Sequence, residues 1–185
     1  MEALDALINR VSCPRLEGPA PTAEQVENML KAALRAPDHG ALRPWRFIIT
    51  EGEGREKLGR LYAEAARQDD PELAEARYEK YCNMPLRAPM VITVVAVTQE
   101  HPKVPVSEQL ISAGCAAHAI IQAAHAQGVG AMWRTGEMAY HPSVEQGLGL
   151  VEGEGIVGYI YLGHPCRKRE APQLVVDDFV TRWEG

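Results

Sequence analysis

Leu4, Leu7, Ile8 and Val11 recur at i, i+3, i+4 and i+7, the spacing that puts one apolar stripe on a helix. A second helix is predicted from Thr22, whose hydroxyl can cap the backbone while Gln25 reaches back. Its buried face should carry Val26, Met29, Leu30, Ala33 and Leu34, and Pro37 stops it. Trp45 to Thr50 is apolar and partly β-branched, with Gly52 and Gly54 just after it, and reads as a strand. Charged helical sequence then runs from Arg55 to Arg67, and again after Pro71 to Tyr81; both stretches look peripheral and solvent-facing. Pro89 to Thr98 is apolar along its whole length, the signature of a strand covered on both faces. A long alanine-rich helix follows from Ser107 to Gln127, with Gly128 as its stop. Val129 to Arg134 reads as a short strand, Pro142 to Leu148 as a short helix, and Ile156 to Leu162 as a final strand.

The sum is one α+β domain over residues 1–185, a sheet between helices, with an extended tail at 164–185. The tail contains Pro165 and Pro172 and little periodicity, so it is either disordered or wrapped around a partner chain.

Charge narrows the function. A net charge of -6 makes nucleic acid an unexpected partner, and Arg167-Lys168-Arg169 reads as a solvated basic run. The first residues lack the basic start of a signal peptide. Ser112, His118, Gln122 and His125 interrupt the apolar 110–126 segment, so no membrane span is expected and the chain reads as cytoplasmic. Cys13, Cys82, Cys115 and Cys166 form no CxxC pair and read as free thiols; no clustered metal ligands accompany them.

Several segments carry possible chemistry. Arg10 and Ser12 offer a guanidinium and a hydroxyl two residues apart, or simply a helix C-terminus favoured by a cation and followed by a turn. Arg35-Ala36-Pro37-Asp38-His39 lines a ligand pocket or decorates a loop. Trp133-Arg134-Thr135-Gly136 ends a strand with a flat ring, a cation and a hydroxyl, or is a buried Trp beside a surface Arg. His118, Gln122 and His125 share a helix face and read as a polar stripe toward solvent or a partner helix. Glu108 and Glu137 read as solvated.

Taken together, INRxSxxR, RAPDHxxxxPW, SAGCA, AQGxGxxWRxG and IVGxxYLGxP occur in that order between Ile8 and Pro165. This series resembles the FMN-dependent nitroreductase family, in particular a small bacterial branch of NAD(P)H nitroreductases. The resemblance implies a mostly antiparallel central sheet flanked by helices and an intimate homodimer built on the long helix. FMN would sit in clefts contributed by both subunits. It places Arg10, Val11 and Ser12 at the flavin phosphate and ribityl, Trp133, Arg134 and Thr135 on the same flavin, and Arg35 and His39 approaching from the other subunit. Gln127 and Gly128 would meet the nicotinamide nucleotide, and Lys168 or Arg169 would add charge at the phosphate. The implied reaction is ping-pong: NADH or NADPH delivers hydride to the flavin and leaves, then a nitroaromatic, quinone or similar acceptor is reduced. No protein acid or base is required, so no catalytic side chain is expected. The sequence departs from the family at Val11, which replaces a second arginine, and at Asp38, His39 and Ala41, which replace serine and asparagine. The missing cation keeps open a flavin-binding or sensing dimer without efficient turnover. The short 50–89 region lacks the lid helices of larger members and implies a more open site.

Overall fold

The computed structural model describes residues 2–167 and 169–185. Its main elements are α1 (Ala3–Asn9), β1 (Leu16–Glu17), α2 (Ala23–Ala33), β2 (Trp45–Glu51), α3 (Glu53–Asp69), α4 (Glu75–Cys82), β3 (Met90–Val97), α5 (Val106–Ala126), β4 (Gly130–Arg134), α6 (Pro142–Gly147) and β5 (Glu154–Pro165).

β3 organises the sheet. It pairs with β2 on one side and β5 on the other; β4 and the short β1 also pair with β5, and all of these pairings are antiparallel. Met90, Ile92, Val94 and Ala96 pack with α2 and α5, while Val91 joins Tyr62, Tyr159 and Tyr161 on the opposite face. Both faces are therefore covered, as the unbroken apolar run of β3 requires. Burying each of its valines and isoleucines is worth about 1.5–3 kcal/mol. The expected α+β architecture is present.

Thr22 forms the capping box: its Oγ1 accepts from the Gln25 amide at 3.2 Å, and Gln25 Oε1 accepts from the Thr22 amide at 2.9 Å. Val26, Met29 and Ala33 are buried, but Leu34 is 57% exposed, because it falls at the cap where the helix has stopped following the sheet. Leu4, Leu7 and Ile8 stay exposed and α1 buries Ala6 instead. An amphipathic stripe records that a face is covered, not which chain covers it. On the outer side of α5, Leu110 and Ile111 are similarly exposed, and so are Leu174, Val176, Phe179 and Trp183 in the tail.

The charged helices are not peripheral. α3 buries Leu58, Tyr62, Ala63 and Ala66, and α4 buries Tyr81. Small alanines between charged residues hide this stripe in the sequence. Gly59 lets the end of α4 pack directly on α3, since a Cβ there would lie 2.0 Å from the Cys82 carbonyl oxygen. β5 also runs on to Pro165, beyond the expected end at Leu162. No helix among the described residues is long and apolar enough to cross a membrane.

One ion pair staples β2 to β5. Arg46 Nε and Nη2 each donate to Glu154 at 2.6 Å, and the Glu154 side chain is only 8% exposed. The hydrogen bonds from Arg46 hold the Glu154 carboxyl below the usual carboxylate range despite its burial. A depressed carboxyl stabilises the fold above its unfolded pKa, and that contribution disappears as pH falls through the folded value. Glu154→Gln is expected to cost about 1–2 kcal/mol near neutral pH. Urea denaturation should show the gap to the native protein closing as pH drops below about 4. An equal gap at both pH values would refute this.

Candidate functional site

The site begins where α1 ends. Arg10 leaves the helix in extended conformation, and the chain turns along β4, where the Cys13 amide donates to the Ala131 carbonyl at 2.9 Å. Arg10, Val11 and Ser12 are thereby half-buried near the C-terminal end of α5. The Arg10 Nη1 is buried without a hydrogen-bond partner. The tail returns to the same place, because the Arg169 guanidinium donates to the Ser12 carbonyl at 3.2 Å.

Val11, Cys13, His125, Gly128, Arg167 and Arg169 line a cleft of about 540 Å³. A neighbouring cleft of about 510 Å³ shares Cys13, Arg167 and Arg169 and adds Arg15. Among the described residues, none of Arg10, Arg15, Arg167 and Arg169 is held in an ion pair. Arg15, Arg167 and Arg169 thus line adjoining clefts where an anion would find guanidinium donors, beside the segment that carries Arg10 and Ser12. Lys168, expected beside Arg169, lies outside the described residues.

Arg134 enters from the end of β4. Its Nη2 donates to the Pro14 carbonyl at 3.3 Å, its Nε is buried and unpartnered, and its guanidinium sits 5.7 Å from the Tyr161 ring centre. Strand alternation sends Trp133 to the other face, against Gly158. A Cβ at Gly158 would lie 2.1 Å from the indole nitrogen, so only glycine accommodates this ring. Thr135 and Gly136 form an exposed turn, which with Met84, Arg87, Arg134 and Tyr161 borders a cleft of about 360 Å³. Burial pushes the Tyr161 phenol up, against the opposing pull of Arg87 and Arg134. Glu137, expected to be free in solvent, accepts a short hydrogen bond from Tyr81 and ties this turn to α4.

Arg35 and His39 lie elsewhere on the chain. Arg35 is exposed at the end of α2 and borders a cleft with Asp38, Arg43 and Trp45. His39 Nδ1 lies 2.7 Å from Glu108 Oε2 in the first turn of α5, so Glu108 also has a partner. Both carboxylate oxygens of Asp38 accept backbone amides, from Leu42 at 3.1 Å and Arg43 at 2.8 Å. They hold Ala41 and Arg43 at positive φ, a conformation that costs such residues about 1 kcal/mol or more each. At about 1.5 Å rise per residue, Glu108 and His125 are roughly 25 Å apart along α5. One chain therefore does not bring His39 to Arg10.

Gln127 caps α5 and ties it to α2. Its amide nitrogen donates to the Gln25 carbonyl at 3.2 Å and the Ala123 carbonyl at 3.0 Å, and its Oε1 accepts from Asn28 at 3.1 Å. Gly128 follows at φ 76° and borders the larger cleft. On the exposed side of α5, Gln122 Nε2 lies 3.1 Å from His118 Nε2.

Arg15, Arg87, His125 and Arg167 were not singled out as site residues from the sequence. A signal existed for one pair: Arg167 and Arg169 alternate in extended sequence and so can face the same side.

The Nitroreductase family model matches residues 7–164, which include every one of these strands and helices except α1's first turn and the tail. The chain belongs to the nitroreductase family. Among family relatives, YdjA of Escherichia coli K12, provisionally named an NAD(P)H nitroreductase, is 47% identical over 98% of this chain and 99% of its own. A Haemophilus influenzae relative with the same provisional activity name is 40% identical over 98% and 99%. The nitroreductase fold is seen again in a nitroreductase-like protein from Bacillus cereus, at TM-score 0.77 with 23% identity over 100% of this chain and 97% of that one. A Bacteroides fragilis nitroreductase solved with bound FMN superposes at TM-score 0.76 with 21% identity, covering 100% of both chains.

Proposed function

We propose that this member of the family is a cytoplasmic FMN-dependent oxidoreductase that takes reducing equivalents from NADH or NADPH. Its acceptor would be a nitroaromatic, a quinone or a similar small molecule, and its working form a homodimer. The observation that carries the reading is the gathering of Arg15, Arg167 and Arg169 around two adjoining clefts beside the Arg10–Ser12 segment, which Arg134 reaches through the Pro14 carbonyl. The buried guanidinium nitrogens of Arg10 and Arg134 in this cluster have no protein partner. An unmade hydrogen bond to a buried charged group is costly, so these atoms suit a ligand with acceptor oxygens. The donor set fits FMN.

In this reading Arg10, Ser12 and Arg169, with Arg167 and Lys168, hold the phosphate and ribityl. Val11 contributes only apolar lining where a second cation would be expected. Arg134 and Thr135 wall the ring, and Trp133, whose side chain lies on the other face, contributes through its backbone. Arg35 and His39 come from the second copy, because within one chain they stand at the far end of α5. Gly128 borders the cleft on the nicotinamide side, and Gln127 fixes its backbone from behind. Bound FMN supplies the two-electron centre of the reaction. The protein's residues bind and orient it and leave one face open to donor and acceptor in turn, without a catalytic acid or base.

The test is an absorption spectrum of the purified protein with FMN, then anaerobic NADPH, then NADH. Yellow protein that bleaches with a pyridine nucleotide is the expected result. Failure to hold FMN would overturn the reading, and bound flavin that neither nucleotide bleaches would replace it with a flavin-sensing dimer.

A further inference from the structure

Two buried polar atoms without a hydrogen-bond partner belong to residues that act on each other where α1 meets the end of α5. They are Nη1 of Arg10 and Nε2 of His125. A buried polar group left without a partner is costly, so their grouping points to something that completes the shell when the site is filled. His125 also borders the 540 Å³ cleft together with Arg167 and Arg169.

The charges around His125 come from several elements. Arg10 reaches it from the end of α1, Cys13 borders the cleft beside β4, and Arg167, Arg169 and Glu170 border it from the tail. On its own helix, His118 lies behind Gln122. Burial, and then the positive charge of Arg10, push the His125 imidazolium below its usual range. A phosphate dianion brought against Arg10 would reverse the second of these effects and place negative charge near the imidazole.

We propose that His125 belongs to the phosphate subsite and takes up a proton from solvent when the FMN phosphate docks against Arg10. Cofactor retention then gains a His125-dependent component that grows as pH falls. The inference rests on the flavin reading and gives a role to a cleft residue to which that reading assigns none.

The sign follows from linkage. A group that binds its proton more tightly in the complex favours binding increasingly as pH falls through its bound-state pKa, and the gain levels off below its free-state value. The free phosphate's own titration, with a second pKa of about 6, is common to native protein and variant and cancels in their ratio, which leaves the coupled uptake by His125 and the bound phosphate.

Imidazole Cε1–H resonances of the full-length protein, with His125 assigned through its backbone, should be titrated alone, with FMN and with riboflavin. The His125 midpoint is expected to rise by about one pH unit with FMN and to stay in place with riboflavin. In parallel, the ratio of FMN Kd for His125→Gln to that of the native protein should grow about three- to fivefold between pH 7.5 and pH 5.5. A midpoint that stays or falls with FMN, one that rises equally with riboflavin, or a ratio independent of pH would each overturn the proposal. Absence of FMN binding at every pH would instead remove the flavin reading, and this proposal with it.

Discussion

Arg10→Ala is expected to purify with little or no flavin, its affinity for FMN weakened by about ten- to a hundredfold. The estimate takes one charge-assisted hydrogen bond at about 1.5–3 kcal/mol, with each 1.4 kcal/mol worth a factor of ten. Arg10 Nη1 has no protein partner, so alanine removes a ligand contact without leaving a protein acceptor unpaired. Arg134→Ala should also lose flavin, but it carries a structural cost that Arg10→Ala does not. Its Nη2 anchors the Pro14 carbonyl, and the segment that carries Ser12 leans on that contact. Thermal unfolding of the flavin-free proteins should therefore separate the two variants: unchanged from flavin-free native protein for Arg10→Ala, lowered for Arg134→Ala. Flavin occupancy measured by absorbance on both purified proteins decides the assignment, and native-like occupancy in both would sink it.

The second large effect concerns assembly. Leu110 and Ile111 on α5 and Leu4, Leu7 and Ile8 on α1 expose apolar side chains that a lone subunit has no means of covering. In the proposed flavin site Arg35 and His39 have to come from a second copy, since they stand at the end of α5 remote from Arg10. Replacing Leu110 and Ile111 together by aspartate is expected to convert a dimer to a monomer in light scattering. The same protein should lose FMN although every guanidinium of its own phosphate cluster is intact. A monomer that keeps its flavin would show that the site is complete within one chain. A variant that remains dimeric would place the interface elsewhere.

The central strand was readable because Pro89 to Thr98 carries no polar residue except threonine, and only a doubly covered strand tolerates that. The Thr22 capping box was readable because its two hydrogen bonds join residues three apart. The charged helices were misjudged for a related reason. Alanine contributes little to an apolar pattern, yet Ala63 and Ala66 are buried because α3 approaches the sheet closely. Arg10, Ser12 and Arg134 could be named from local motifs, whereas Arg87 and His125 could not. Their membership depends on contacts between segments distant in sequence, such as Arg169 reaching the Ser12 carbonyl.

The sequence by itself determined which segments become helix and strand, because side-chain period, caps and turn residues act over a few positions. It also carried the family's ordered motifs, because these are runs of neighbouring residues. Tertiary structure alone decided that the end of α1, the start of β4 and the basic tail meet at one cleft. It alone set His39 on Glu108 at the opposite end of α5, and turned the stripe of α1 outward. Each of these depends on how elements pack in three dimensions, and a pattern along the chain holds no distance between one element and the next.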